Sequence, residues 1–314
     1  MQKLSVALPQ ILTGHKGSIY TLIPGFEENT FITAGGDGLV AEWTLNNLSR
    51  TSVGIPNLSI LATVQTQIFA LAAIPDHQIL VIGQMQGGIH VLDLHQKKEL
   101  QFITAHKSYI FNLTYIPELD IVLAASGDGT LSIWSVPQFE LIIQIKISEE
   151  SLRDIALHPH RRICAIGSSS NEIILFDLEA QEVIHKIAGH ENSIFAVAYD
   201  PQGKFLLSGS RDAHLKVWNV EKNYELWHSI PAHMFTINHI AFAPAGALFA
   251  TAGRDKEIRI WDAASFQLIK LMNKEKNEGH INSVNKLLWM NNQTLVSASD
   301  DRTVRVWDIQ AENK

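Results

Sequence analysis

The chain has 314 residues, 46% of them apolar and 18% charged, with a formal net charge of −7 and a pI near 6.0. This composition supplies ample core, is too apolar for a disordered chain, and carries no overall pull toward phosphate backbones. A single cysteine, Cys164 in the strand-like run "RRICAIGSS", excludes an internal disulfide framework and a multi-cysteine metal site, and reads as a buried, inert thiol.

In chain order, the N-terminal segment "MQKLSVALPQILTGH" lacks a continuous apolar stretch with a small-residue cleavage pattern, and no apolar run approaches the roughly 20 residues of a membrane span. The expectation is a cytoplasmic protein that meets no membrane. "LSVALPQIL" is an apolar segment without a counterpart later in the chain. His15 follows it in "TGHKGS", then Thr33, then "GDGLVAEW" with Asp37 six residues before Trp43. Residues 46–58 lengthen the link to a weaker copy, "QGGIHVLDL", in which Leu92 stands at the tryptophan position and Val64 and Gln86 replace the polar pair. The third copy restores His106, Asp128 and Trp134, with Ala124 where the first has a threonine. The fourth is again weak, with Ser148, Ser170 and Phe176, and its "HPH" at 158–160 reads as a solvated hairpin turn. Both weak copies are expected to rely on apolar packing alone. His190, Ser208, Asp212 and Trp218 make the fifth copy, and His233, Thr251, Asp255 and Trp261 the sixth. After an insertion, "NKEKNE" at 273–278, the seventh has His280, Ser297, Asp301 and Trp307.

The seven anchors at 43, 92, 134, 176, 218, 261 and 307 recur every 42 to 49 residues, leaving no room for a second domain in residues 1–314. Within a copy, alternation such as "HLKVWNV" and turn chemistry such as "DPQG" predict four short strands, and no helical periodicity exceeds about 10 residues. The Gly-His…Asp…Trp-Asp pattern, complete in "RIWDA" and "RVWDI", resembles the WD-repeat family over essentially the whole chain. That resemblance implies an all-β, seven-bladed β-propeller of four-stranded antiparallel blades. The last copy is one strand short, so the N-terminal segment is expected to complete it and close the ring. The resemblance also implies that histidine, hydroxyl, aspartate and tryptophan of each full copy form a buried hydrogen-bonded chain.

Ser208, His190 and Asp212 are also the ingredients of a catalytic triad. A catalytic set is needed once, whereas this one recurs in four or five copies beside a tryptophan that hydrolysis does not use. The structural role is preferred, and with no HExxH motif or P-loop, neither an enzyme, a metal nor a cofactor is expected.

Function should then sit where the copies differ. Apolar residues at the fourth and seventh positions after each histidine break strict alternation, which predicts a β-bulge and frees the fifth position. Around the ring that position reads Tyr20, Phe69, Phe111, Arg153, Phe195, Asn238 and Asn285. The family resemblance puts it at the rim of the channel, on the face usually used for partners. The residue before each turn aspartate, including Arg211, Arg254 and Asp300, should share that face. Exposed aromatics and arginines predict a protein or peptide partner, acidic with an apolar anchor. The expected function is a non-enzymatic interaction scaffold. The alternative is an enzyme or small-ligand binder at the channel mouth, and nucleic acid is disfavoured by the acidic balance.

Overall fold

Residues 3–45 and 57–312 are described in a computed structural model, so the insertion at 46–58 falls almost wholly outside the described residues. Seven antiparallel sheets follow one another around a ring. Their innermost strands are Ile19–Pro24, Ile68–Ile74, Ile110–Ile116, Leu152–Leu157, Ile194–Tyr199, Ile237–Phe242 and Val284–Trp289, in blades 1 to 7 respectively. Six blades take their four strands consecutively from the chain. Among the described residues the only α-helix is the single turn Lys274–Asn277, and no helix is long and apolar enough to cross a membrane.

The core is divided among seven apolar layers, each shared by two neighbouring blades. Blades 1 and 2, for example, meet through Ile32, Val40, Ile68 and Leu80, and blades 5 and 6 through Leu207, Val217, Ile237 and Phe249. A sheet buried on both faces needs apolar residues on both sides of each middle strand, which is why "FLLSGS" and "ICAIGS" do not alternate. No blade can bury its own faces, so the ring is stable only when closed.

Closure is made by the N-terminus. Gln10–Thr13 pairs antiparallel with Thr303–Val306, and Leu4–Val6 with Ile309–Ala311, on one long strand, Thr303–Ala311. The expected fourth strand is therefore present but broken between Val6 and Gln10. Pro9, which has no N–H to give the ladder, lies in the gap, while Ala7 still donates to the Asp308 carbonyl at 3.1 Å. The break places Leu4 in the layer between blades 6 and 7, and Leu12 in the layer between blades 7 and 1. One segment thereby seals both sides of the last blade.

Removing residues 1–13 should lower stability by about 3 kcal/mol or more, from the loss of two buried leucines alone, and should expose the edge of Thr303–Ala311. Chemical denaturation followed by tryptophan fluorescence measures this. An unchanged midpoint in a monomeric truncated protein would contradict closure by this segment.

Candidate functional site

Each innermost strand begins with the bulge that the apolar spacing predicts, and the ladder skips Tyr20, Phe69, Phe111, Arg153, Phe195, Asn238 and Asn285. The loop carrying each repeat histidine and the turn carrying each repeat aspartate lie at this end of the blades, here called the upper face.

In blades 1, 5, 6 and 7 the polar residues form one chain. In blade 5 the Trp218 Nε1–H donates to Ser208 Oγ at 2.8 Å, and Ser208 Oγ lies 2.7 Å from His190 Nε2. His190 Nδ1 lies 2.7 Å from the Asp212 carboxylate. The indole can only donate, so the hydroxyl proton goes to Nε2 and Nδ1–H goes to the carboxylate, leaving every donor satisfied. The same links join Trp43, Thr33, His15 and Asp37, then Trp261, Thr251, His233 and Asp255, and finally Trp307, Ser297, His280 and Asp301. Blade 3 completes the chain differently. Ser132, two residues before Trp134, bridges the indole and His106 Nε2 at 2.8 Å each, standing in for the hydroxyl that Ala124 lacks. Asp128 is 3.5 Å from His106, and Thr130 lies between them.

The carboxylate has a second task. It accepts the backbone N–H of the residue after the histidine in all five blades: Lys16, Lys107, Glu191, Met234 and Ile281, at 2.7–3.1 Å. The chain therefore ties the loop that enters a blade to that blade's own turn. Serines two residues before the aspartate position reinforce the turn. Ser126, Ser210 and Ser299 accept the aspartate N–H and donate to the incoming loop's carbonyls. The repeated Ser in "SGD", "SGSRD" and "SASDD" carried that signal in the sequence.

The weak blades differ from each other. Blade 4 is not purely apolar, because Ser168 gathers the hydroxyls of Ser148 at 3.2 Å and Ser170 at 3.0 Å. Nor is its "HPH" turn wholly solvated. His160 is exposed, but His158 is buried against Tyr199 with a ring separation of 4.9 Å, its Nδ1 accepting the His160 N–H. His233, Asp255 and Glu257 place ligand-type atoms within 4.8 Å of one another. All are engaged internally, Glu257 by Arg259 at 2.6 Å, so this cluster is read as part of the blade-6 chain.

Ser208, His190 and Asp212 thus have the connectivity of a triad without its access. Ser208 is 0% exposed, and its oxygen already accepts the Trp218 N–H. Burial lowers the affinity of His190, His106 and His280 for a proton, partly opposed by the facing carboxylates. Burial alone would raise the Asp212 carboxyl. Hydrogen bonds from His190 and from the His214 and Glu191 backbone outweigh it and hold the group well below the usual range. Asp128 is lowered to about 2, burial being outweighed by the Thr130 hydroxyl and the Lys107 and Thr130 amides.

The bulge residues at the channel mouth are largely occupied with one another. Tyr20 stacks on Phe69 with centroids 4.6 Å apart, and Phe69 meets Phe111 edge-on at 5.8 Å. The Arg153 guanidinium lies 4.3 Å from the Phe111 ring and 4.9 Å from Phe195, with Nε bonded to Ser169. Asn238 donates to Ser283 and the Val284 carbonyl, and Asn285 to the Ile19 carbonyl and to Asp300. Nearly every member grips the next blade. Of the three arginines, Arg153 is sandwiched between Phe111 and Phe195, while Arg211 and Arg254 are exposed.

Comparison with known proteins bears on what this architecture is. The family model "WD domain, G-beta repeat" matches residues 97–135, 181–219, 224–262 and 273–308. The chain is a WD40-repeat β-propeller. Its fold is similar to that in the crystal structure of the WD40 beta propeller domain of Doa1, with a TM-score of 0.82, 17% identity and 97% of each chain covered. No curated protein matches the chain. WD40 propellers are generally non-catalytic and typically serve as protein-interaction scaffolds.

The upper face of this WD40 propeller also carries residues that the repeat pattern did not single out. Met234, Phe235 and Ile281, the residues just after two repeat histidines, are 75%, 56% and 50% exposed. The loop holding Met234 and Phe235 runs between the blade-5 and blade-6 turns, since the His233 N–H donates to Ala213 and the Arg254 N–H to Thr236. Arg211 and Arg254 therefore flank it. The signal was legible as apolar residues in "AHMFT" and "GHINS", where other copies have Lys or Glu.

Asp212→Ala should cost about 1–3 kcal/mol, from unsatisfied donors around His190; a variant with wild-type stability would contradict the buried role. The pH dependence has a definite sign. Burial holds His106, His190 and His280 below the ordinary histidine range, and hydrogen bonds hold the five aspartates below the ordinary carboxylate range, so for both groups the unfolded state binds more protons as pH falls. Denaturation midpoints should be level near neutrality, decline below about pH 6.5, and decline further below about pH 4. A flat profile from pH 7 to 5 would contradict the neutral-histidine assignment.

Proposed function

We propose that this propeller is a non-enzymatic protein-interaction scaffold that engages a protein or peptide through the upper face of blades 5 to 7. The observation that carries the reading is the exposure of Met234, Phe235 and Ile281 on loops that the half-buried carboxylates hold in place. Large apolar side chains displayed on a fixed backbone are surface that a partner gains by covering, and little backbone ordering opposes it.

Charge supports an acidic partner. In a chain of net charge −7, this sector exposes Arg211, Arg254, Lys256, Lys274, Lys276 and Arg302 against Glu191, Glu275 and Glu278. The insertion at 273–278 lies in the loop leading to His280 and contributes two of these cations. A segment with an apolar anchor on Phe235 and carboxylates toward Arg211 and Arg254 fits this pattern. Arg153 and the aromatics beside it are assigned to holding the blades together, because their interacting faces are already used.

A library of acidic peptides with a single aromatic or aliphatic anchor tests the reading. Replacing Arg211 and Arg254 together by alanine should weaken binding and flatten its salt dependence. Phe235→Ala should weaken binding by about 1–3 kcal/mol and leave the salt dependence in place. Peptides that bind all variants equally at every salt concentration would place the working surface elsewhere.

A further inference from the structure

Within the ring the innermost strands line a partly open cavity of about 210 Å³. The residue after each bulge points toward the channel, and Thr21, Ala70, Asn112, Asp154, His239 and Lys286 lie on the cavity wall. These positions belong to no repeat motif, and three of them are ionisable.

Their hydrogen bonding is uneven. Asp154 is fixed: Oδ1 accepts from Asn112 Nδ2 at 2.8 Å and Oδ2 accepts the Val197 N–H at 3.0 Å, joining blades 3, 4 and 5. Lys286 approaches from blade 7, across the channel. Its ammonium stops 3.7 Å from Asp154 Oδ1, beyond hydrogen-bond reach, and has no other partner among the described residues. His239 Nδ1 accepts the Leu287 N–H at 3.2 Å, so the ring proton sits on Nε2, which has no protein acceptor among the described residues. Burial and the Lys286 charge both disfavour a second proton on His239. The cavity therefore holds a clamped carboxylate with lone pairs to spare, an ammonium without a hydrogen bond, and a neutral N–H donor.

We propose that this cavity binds a small zwitterion of α-amino-acid size, its carboxylate on Lys286 and His239 and its ammonium on Asp154. Charge balance selects the class. The Asp154 and Lys286 charges cancel, so an anion or a cation alone would leave one buried charge uncompensated, whereas a zwitterion adds none. Size agrees, since a protein cavity of about 150 Å³ accepts benzene. The site shares no residue with the upper-face patch, and either reading stands without the other.

Isothermal titration of the intact protein with glycine, alanine and proline, and with acetate and methylammonium as single-ended controls, tests the assignment. At least one amino acid should bind saturably, and both controls at least about tenfold more weakly. Lys286→Met should weaken that binding at least about tenfold, while Phe235→Ala leaves it unchanged. Lys286→Gln serves the same purpose should the methionine variant fail to fold by circular dichroism. The proposal is overturned by an absence of saturable binding for all three amino acids, by acetate binding as tightly as they do, or by undiminished binding in the folded Lys286 variant.

Discussion

Five carboxylates hold the upper face of this propeller together. Asp37, Asp128, Asp212, Asp255 and Asp301 each accept a bond from the backbone of the loop entering their blade, and each faces that loop's histidine. A carboxylate that receives several N–H donors in a partly buried site stays ionised, and an ionised acceptor makes the stronger bond. Loop position, histidine tautomer and the orientation of the tryptophan behind it all follow from that one acceptor. The apolar layers between blades supply most of the free energy, but they specify no loop geometry.

This arrangement separates two kinds of residue that look alike in a list of aromatics and arginines. The bulge positions face inward and sideways at the channel mouth, so their side chains meet those of the next blade. Arg153 between Phe111 and Phe195, and Asn285 reaching the Ile19 carbonyl, serve cohesion of the ring. The residues immediately after the histidines face outward, because the carboxylate holds their N–H and turns the side chain to solvent. Met234 and Ile281 sit at such positions. A rigid backbone displaying variable side chains is the arrangement that places recognition on loops while stability resides in the blades.

The parts legible in the sequence were those that repeat. Asp212 six residues before Trp218, with His190 upstream, marks a blade because the same local geometry is needed many times. The unmatched "LSVALPQIL" pointed to ring closure for the same reason. Single-copy solutions were hidden. Ser132 replaces a hydroxyl from a different strand, an exchange visible only once the two strands are adjacent. The sandwich around Arg153 and the facing of Asp154 and Lys286 depend on distances around and across the ring, which no local pattern encodes. Pro9 breaks the closing strand at a place that a one-strand reading passed over.

The claim that these half-buried carboxylates hold the upper loops is tested most directly by residue-resolved amide hydrogen exchange. The N–H groups of Lys16, Lys107, Glu191, Met234 and Ile281 should exchange slowly although their residues lie in exposed loops. In Asp255→Ala, protection of Met234 should fall sharply while that of Lys16 and Lys107, on blades 1 and 3, stays as in the wild type. Rapid exchange at Met234 and Ile281 in the wild type, or no change at Met234 in the variant, would contradict the account.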